Sequence, residues 1–257
     1  MARVLVVLPT LGTRGDLLEQ ALDSIVEQGE QVRAVLVAPM SATNAIAAAR
    51  RRQIDWVEDP ATGISAAVNA GLRAREGEEF YAWLGDDDVF RPGGLTTLVD
   101  VLDAAPDSVL AFGACDYILD DGTVLATSKA GALATWLLPW GPDLIPHPGT
   151  LVRLDDLEAI GLFDEKLKFT LDLDAFLKLR KRGAFSSTSR VVSAFRWHPD
   201  SLTVSDRWGS SREAIAVKAR HLPAPLKAIH GVWSYPVALA SQVAAWLLNR
   251  RASRASQ

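Results

Sequence analysis

The chain has 257 residues, 49% of them hydrophobic, so it is long enough for one large core or for a core with a small appendage. Its single cysteine, Cys115, excludes an internal disulfide, and its four histidines show no zinc-binding spacing. The net charge of −4 is unevenly divided, since residues 207–257 carry eight Lys/Arg and one Glu, a charge of +7, which leaves −11 for residues 1–206. The acidic body argues against nucleic acid as a ligand, and the basic tail favours contact with an anionic surface.

Apolar runs alternate with amphipathic segments in the first part of the chain. Residues 4–8 are a continuous run of Val and Leu, which is typical of a strand buried on both faces. The elements predicted next are a helix over 17–28 capped by Asp16, a strand over 32–37, a helix over 41–52, a strand over 54–57, a helix over 65–75 and a strand over 80–84. This β-α-β order predicts a parallel sheet with right-handed crossovers.

Three consecutive carboxylates, Asp86, Asp87 and Asp88, follow the strand predicted over 80–84. We call them the acidic triplet. Ligands bind at the carboxyl ends of strands in such sheets, and a divalent cation would relieve the repulsion between the carboxylates. Carboxylate oxygens suit Mg²⁺ or Mn²⁺, and these ions in turn bind phosphate oxygens. The alternative is a solvated acidic turn in which Asp88 caps a helix.

The second part of the chain is predicted to hold a helix over 93–104, strands over 108–112, 117–119, 124–125 and 150–152, a helix ending at Gly161, a helix over 171–181 and a strand over 191–197. Residues 129–149 gather Trp, Pro and Gly into a long loop, and long loops of this kind are usually functional.

The last segment, residues 206–257, is predicted to be a basic, amphipathic helical extension, called here the C-terminal tail. Its apolar stretch over 237–248 falls short of the ~20 residues that span a bilayer. Two interpretations stay open: it lies in a membrane interface beside Arg250, Arg251 and Arg254, or it packs on the domain or a partner chain. The apolar run at the N-terminus is too short for a signal peptide, so we expect a cytoplasmic protein, peripheral on the inner face of the cell membrane if the tail binds lipid.

Four segments in order resemble the inverting family-2 glycosyltransferases with the GT-A fold, and the resemblance covers residues 4 to about 205. They are Pro9-Thr10 after the first strand, the Gly-x-x-x-Ala-x-Asn-x-Gly-like stretch 63–71, the Asp-x-Asp-like stretch 85–88, and Gly161-Leu162-Phe163-Asp164 followed by Asp172-Leu173-Asp174.

The resemblance implies an α/β fold of the GT-A type, with a mostly parallel, Rossmann-like central sheet flanked by helices and followed by the helical tail. It implies a glycosyltransferase domain over 1–205, divided into a nucleotide-sugar-binding half (1–115) and an acceptor-binding half (116–205). The implied activity is metal-dependent transfer of a hexose or deoxyhexose, with inversion, from a nucleotide-diphosphate sugar to a glycan or lipid-linked acceptor, in cell-surface polysaccharide or glycolipid synthesis. A homodimer is left open.

The resemblance also assigns roles to individual residues. Asp172 is expected to be the general base that deprotonates the acceptor, with a helix cap as its alternative role. The remaining site residues are expected to be Pro9, Thr10, Asp59, Asn69, Asp86 and Asp87 for the nucleotide sugar; Asp86, Asp88 and His198 for Mn²⁺ or Mg²⁺; and His147, Trp140 and Asp174 for the acceptor.

Two positions depart from the family pattern. Leu171 stands where relatives usually carry Glu, which keeps open a non-catalytic module that binds a sugar nucleotide or a partner. Val37-Ala38-Pro39 stands where many relatives carry an acidic residue for the base, so the nucleotide stays open. A sugar nucleotidyltransferase is the other alternative, with Gly12-Thr13-Arg14-Gly15 as a faint echo of its phosphate loop. No Gly-x-Gly-x-x-Gly follows the first strand, which argues against a dehydrogenase.

Overall fold

The computed structural model describes residues 2–128, 131–197 and 206–255. The first elements are β1 (Val4–Pro9), α1 (Gly15–Val26), β2 (Val32–Ala38), α2 (Thr43–Arg51), β3 (Asp55–Glu58), α3 (Ile64–Leu72), β4 (Phe80–Trp83), β5 (Val89–Phe90) and α4 (Gly94–Asp103). They are followed by β6 (Ser108–Ile118), β7 (Val124–Ser128), α5 (Gly131–Leu137), a 3₁₀ turn (His147–Gly149), β8 (Thr150–Arg153), α6 (Leu154–Ala159), α7 (Leu171–Leu179) and β9 (Ala184–Arg196). The C-terminal tail contains α8 (Arg207–His221), α9 (Ala224–Lys227) and α10 (Gly231–Ala255).

The described strands form one sheet in the order β3-β2-β1-β4-β8-β6-β9-β5, with β7 paired to β6. The strands from β3 to β4 are parallel, as predicted, and β9 is parallel to β6. The sheet is mixed beyond β4, because β8 runs antiparallel between β4 and β6. β6 crosses the boundary predicted between residues 115 and 116, so the two predicted halves share a sheet.

Apolar layers cover both faces of the sheet. Successive side chains of β1 point to opposite faces, so Val4, Val6 and Leu8 join one cluster, while Leu5 and Val7 join the other. The first cluster contains side chains of α1, α2 and α4, and the second contains side chains of α3, α6 and α7. α3 lies so close to β1 that a Cβ on Gly71 would sit 2.4 Å from Val7 Cγ1.

The structure corrects four predicted elements. α1 begins before Asp16, which lies in its first turn instead of capping it. The predicted strands over 108–112 and 117–119 are one strand, β6, whose pairing with β9 shifts register around Gly113 and continues to Ile118. β9 begins at Ala184, and its first half is polar because it is partly exposed. The predicted loop over 129–149 contains α5 and the 3₁₀ turn.

The C-terminal tail packs on the body through α8. His221 Nε2 of α8 lies 2.9 Å from Asp174 Oδ1 of α7, and Gln242 Nε2 of α10 lies 3.3 Å from Ser211 Oγ of α8. Across the described residues, no helix has the length and apolar character needed to traverse a bilayer.

Candidate functional site

The acidic triplet lies where the carboxyl ends of β1 and β4 meet. These strands are neighbours in the sheet, with Val7 opposite Trp83, so the residues that follow each strand converge. Thr10 Oγ1, just after β1, donates a hydrogen bond of 2.5 Å to Asp86 Oδ2. Pro9 ends β1 and is buried. The predicted nucleotide-sugar residues Pro9, Thr10 and Asp86 are therefore together at one edge of the sheet.

Arg14 supplies positive charge to the first two carboxylates of the triplet. It stands at the N-cap of α1, and its Nη1 lies 3.0 Å from Asp86 Oδ1 and 2.7 Å from Asp87 Oδ2. One guanidinium nitrogen thus holds both carboxylates together. The sequence analysis considered Arg14 only as part of a faint phosphate loop, because nothing in the spacing shows that α1 begins beside the end of β4.

Asp88 is fixed by β9 and does not cap a helix, so that alternative is wrong. Its Oδ1 accepts a hydrogen bond of 2.9 Å from the backbone N–H of Arg196, at the end of β9. The guanidinium of Arg196, 1% exposed, donates to the backbone oxygens of Asp87, Leu119 and Asp120. α4 instead begins at Gly94, after Gly93 with a φ of 68°.

Burial leaves the triplet with negative charge that a cation would relieve. Burial, with Asp87 close by, raises the pKa of the Asp86 carboxyl. Burial, together with the negative charge of Asp87, raises the pKa of Asp88 well above its usual range. Oxygen donors of this kind fit Mg²⁺ or Mn²⁺. No three described His, Cys, Asp or Glu side chains are arranged as a ready metal cage, and the proposed ligand His198 lies outside the described residues.

Asp172 contacts the end of β4 through His147. Asp172 is the second residue of α7, and its Oδ2 lies 3.3 Å from His147 Nδ1. The ring of His147 stands edge-on to Trp83, the last residue of β4, with the centroids 3.9 Å apart. Asp172 Oδ1 also accepts from the backbone N–H of Leu173, at 2.8 Å. The carboxylate therefore takes part in helix capping and still faces the strand end that leads to the triplet.

Two polar atoms beneath this contact lack a partner within the described structure, namely Tyr81 Oη and Trp83 Nε1. Both residues belong to β4, two positions apart, so they point to the same face of the sheet. Burial, with the charge of Asp172 as a second cause, raises the pKa of Tyr81.

Asp174 points away from Asp172. Two residues in a helix are separated by about 200° around the axis, so both carboxylates cannot face one site. Asp174 is buried and lies 2.9 Å from His221 Nε2 and 2.7 Å from Lys178 Nζ. Burial opposes its ionisation, but the hydrogen bonds from His221 and Lys178 outweigh it and lower its pKa. Asp174 thus clamps α7 to α8.

Sequence reasoning missed Asp143 and Lys218. Asp143 is exposed to solvent, yet desolvation by the protein around its carboxyl group, together with the negative charge of Asp172, raises the pKa of that group to about 7. Lys218 of α8 donates to the backbone oxygen of Gly141 in the same loop, and burial lowers its pKa. An isolated Asp in a loop and a Lys 75 positions later carry no spacing signal, so only the fold brings them together.

The side chain of Asn69, a predicted nucleotide contact, bonds to another segment of the chain. It is buried, its Nδ2 donates to the backbone oxygen of Phe163 at 2.9 Å, and its Oδ1 accepts from the Phe163 N–H at 3.1 Å. Two of the four segments that carried the family resemblance therefore bind each other.

Two other predicted residues lie farther out. Asp59, just after β3, accepts from the Ala61 N–H at 2.9 Å. Trp140 lies 6.1 Å, between ring centroids, from Trp233 of α10. A cavity of about 580 Å³ lies elsewhere, and none of the predicted site residues line it; it is bounded by Met40, Thr43, Ile46, Ala47, Arg50, Arg51 and Trp56.

Comparisons with known proteins show which family the chain resembles in sequence and in fold. The sequence matches the family model described as "Glycosyl transferase family 2" over residues 5–148. An uncharacterized glycosyltransferase of Rickettsia felis is 24% identical over 195 residues, which are 71% of this chain and 32% of that protein. The chain thus spans about a third of the length of this relative.

Solved structures are similar over most of the chain. The crystal structure of S. aureus TarS 1-349 in complex with UDP-GlcNAc gives a TM-score of 0.67 at 16% identity, covering 88% of this chain and 69% of that one. The mannosyltransferase PcManGT from Pyrobaculum calidifontis, in complex with GDP-Man and Mn²⁺, gives 0.66 at 20% identity, covering 99% of this chain and 81% of that one. At these identities the likeness shows the fold.

Proposed function

This chain belongs to glycosyl transferase family 2 and has the GT-A fold, and on that premise we propose that it is a nucleotide-sugar glycosyltransferase. It takes a nucleoside-diphosphate sugar as donor and transfers the hexosyl or deoxyhexosyl group, with inversion, to a glycan or lipid-linked acceptor. The Rickettsia felis relative is also named a glycosyltransferase, and the TarS and PcManGT structures hold UDP-GlcNAc and GDP-Man.

One observation carries the proposal: Asp172 is linked through His147 to Trp83, three residues before the acidic triplet. An inverting transfer needs a base on one side of the sugar and charge stabilisation of the diphosphate on the other. Asp172 is the base and the triplet stabilises the charge in this proposal, and the end of β4 sets the position of one relative to the other.

In the proposed step, the acceptor hydroxyl attacks the anomeric carbon of the donor sugar. Its proton passes to a carboxylate oxygen of Asp172, a new glycosidic bond forms, and the bond from the anomeric carbon to the diphosphate oxygen breaks. The nucleoside diphosphate leaves with that electron pair. His147 fixes the Asp172 carboxylate through the 3.3 Å contact, so it is a positioning residue that also borders the acceptor side with Trp140.

Asp86 and Asp88, with Asp87 beside them, are the residues that would hold Mn²⁺ or Mg²⁺. A bound divalent cation would neutralise charge on the leaving diphosphate. Pro9 ends β1, Thr10 follows it beside Asp86, and Asp59 follows β3 farther along the same edge, so we assign the nucleotide to this edge of the sheet.

The test is donor binding combined with an Asp172→Asn variant. Wild-type protein is expected to show a rise in Tm with one of UDP, GDP, dTDP or CDP that depends on Mn²⁺ and is abolished by EDTA. Asp172→Asn is expected to retain that rise and to lose at least about 10³-fold in kcat for hydrolysis or transfer of the matching sugar nucleotide, because the base is absent. Asp100→Asn, an exposed Asp on α4, is the control and is expected to match wild type.

Each other outcome contradicts part of the proposal. Full activity in Asp172→Asn removes Asp172 as the base. Binding without turnover in the wild type favours a non-catalytic sugar-nucleotide module. Release of pyrophosphate from a nucleoside triphosphate and a sugar phosphate would indicate the nucleotidyltransferase.

A further inference from the structure

α10 exposes a continuous row of large apolar side chains, defined here as the outer stripe. Its members are Val232, Tyr235, Leu239, Val243 and Trp246, with exposed fractions of 77%, 63%, 59%, 50% and 48%. Spacings of three and four residues keep all five within an arc of about 80° on the helix. The row from Val232 to Trp246 is about 21 Å long.

α10 meets the body through residues outside the outer stripe, which include Trp233 packed against Trp140. Ser234 is buried, and Gln242 Nε2 lies 3.3 Å from Ser211 Oγ of α8. Helices on a globular protein usually turn their large apolar side chains inward. The outer stripe nevertheless stays exposed, and contiguous apolar surface of this kind marks an interaction site.

We propose that the outer stripe lies in the interface of an anionic lipid bilayer, with the axis of α10 parallel to the membrane plane. Tyr235 and Trp246 belong to the stripe, and their amphipathic rings suit the headgroup level at which such a helix lies. With about 21 Å of apolar length and no spanning helix in the described part of the chain, α10 can lie on a bilayer but cannot cross it.

Charge selects the bilayer over a second copy of the chain. Residues 207–257 carry a net charge of +7, and Arg250, Arg251 and Arg254 follow Trp246 in the sequence. Two copies that paired through α10 would bring two such tails together, and their like charges would repel. Anionic headgroups instead attract the basic residues of the tail.

This placement also orients the candidate site. Trp233 of α10 contacts Trp140, and Lys218 of α8 bonds the backbone of Gly141, so the tail and the loop that carries Asp143 and His147 are joined. The loop would then face the bilayer surface, which favours a lipid-linked acceptor. That last step rests on the proposed function, whereas binding of the stripe to lipid does not.

The experiment is co-sedimentation of the full chain with vesicles, without any donor. Wild type is expected to bind phosphatidylcholine vesicles that contain phosphatidylglycerol, to bind pure phosphatidylcholine more weakly, and to dissociate as salt is raised. Val243→Glu is expected to weaken binding at least about tenfold, because it places a charge where an apolar side chain was buried in the interface. Val26→Glu, a valine of matched exposure (52%) at the end of α1, is expected to bind like wild type.

Circular dichroism and Tm of both variants serve as the folding check, and light scattering after gel filtration gives the oligomeric state. No binding of the wild type to anionic vesicles, or equal loss in Val243→Glu and Val26→Glu, would overturn the proposal. A wild-type dimer that Val243→Glu converts to monomer would also overturn it, in favour of a second copy as the occupant.

Discussion

Burial disfavours the charged form of the Asp88 carboxyl. It is buried, and it stands beside Asp86 and Asp87, so its folded-state pKa is raised well above the ordinary Asp value of about 3.9. The folded state then binds a proton more tightly than the unfolded state does. This part of the stability is present at low pH and is lost as pH rises from the ordinary value through the raised one.

Replacement of Asp88 by Asn should therefore stabilise the metal-free protein. Asn keeps an oxygen that can accept from the Arg196 N–H and removes the buried charge. We expect Tm in EDTA to rise by a few degrees at pH 8 and by less at pH 5, where wild-type Asp88 is closer to neutral. Thermal unfolding at both pH values, with Asp100→Asn as control, measures this. The variant should also lose any stabilisation by Mn²⁺; a lower Tm at pH 8 would refute the argument.

At the scale of elements, the contact between α7 and α8 decides how the C-terminal tail is held. His221 and Lys178 converge on Asp174, which is buried, whereas among the described contacts none ties α8 to Asp172. Asp174 thus joins the two helices, while Asp172 contacts His147 on the other side of α7. The element that positions the proposed base also anchors the proposed membrane helix.

Removal of His221 tests this division of roles. His221→Ala leaves the buried Asp174 with one partner fewer, and we expect it to lower the free energy of unfolding by about 1–3 kcal/mol. Urea unfolding measures the change, and His230→Ala, whose Nδ1 contacts only the nearby Lys227 oxygen among the described contacts, is the control. Nucleotide binding by the folded His221→Ala protein should equal that of wild type, and a selective loss of binding would assign His221 to the site instead.

The elements that sequence reasoning predicted well are those whose burial is uniform. β1 and β4 are apolar throughout because both faces are covered, and α1 and α7 show regular apolar spacing. β9 was found only in part because its first half is partly exposed and polar. β5 has two residues, Val89 and Phe90, which is too few for any periodicity.

At the scale of the whole molecule, Asn69 joins segments 94 positions apart, α3 and the turn at Phe163. Each segment thus completes hydrogen bonds of the other. The nucleotide contact of Asn69 stays a prediction, because the sequence alone does not distinguish a residue that contacts a ligand from one that joins two segments. Asp143 and Lys218 were missed for the complementary reason, since only tertiary proximity shifts their pKa values.

Asn69→Ala separates the two roles. It leaves the buried N–H and C=O of Phe163 without this partner, so we expect a loss of about 1–3 kcal/mol in the free energy of unfolding. Nucleotide affinity, measured by calorimetry well below the Tm, should stay within about twofold of wild type. Asn44→Ala, at an exposed position of α2, is the control for both measurements. A large fall in nucleotide affinity with unchanged stability would restore the predicted contact.

Arg14 gives the acidic edge a resident counter-ion. With Nη1 between Asp86 and Asp87, a positive charge already stands where an incoming cation would bind. Cation binding at this edge is then an ion exchange. Its observed free energy is the difference between the free energy with which the cation binds these carboxylates and that with which Arg14 binds them. Arg14 lies two residues after Gly12 on a short loop, so a displaced guanidinium would stay near the triplet. A diphosphate would be its natural new partner there. A cation would thus displace Arg14 more easily when the donor is bound, because the donor diphosphate can accept the guanidinium.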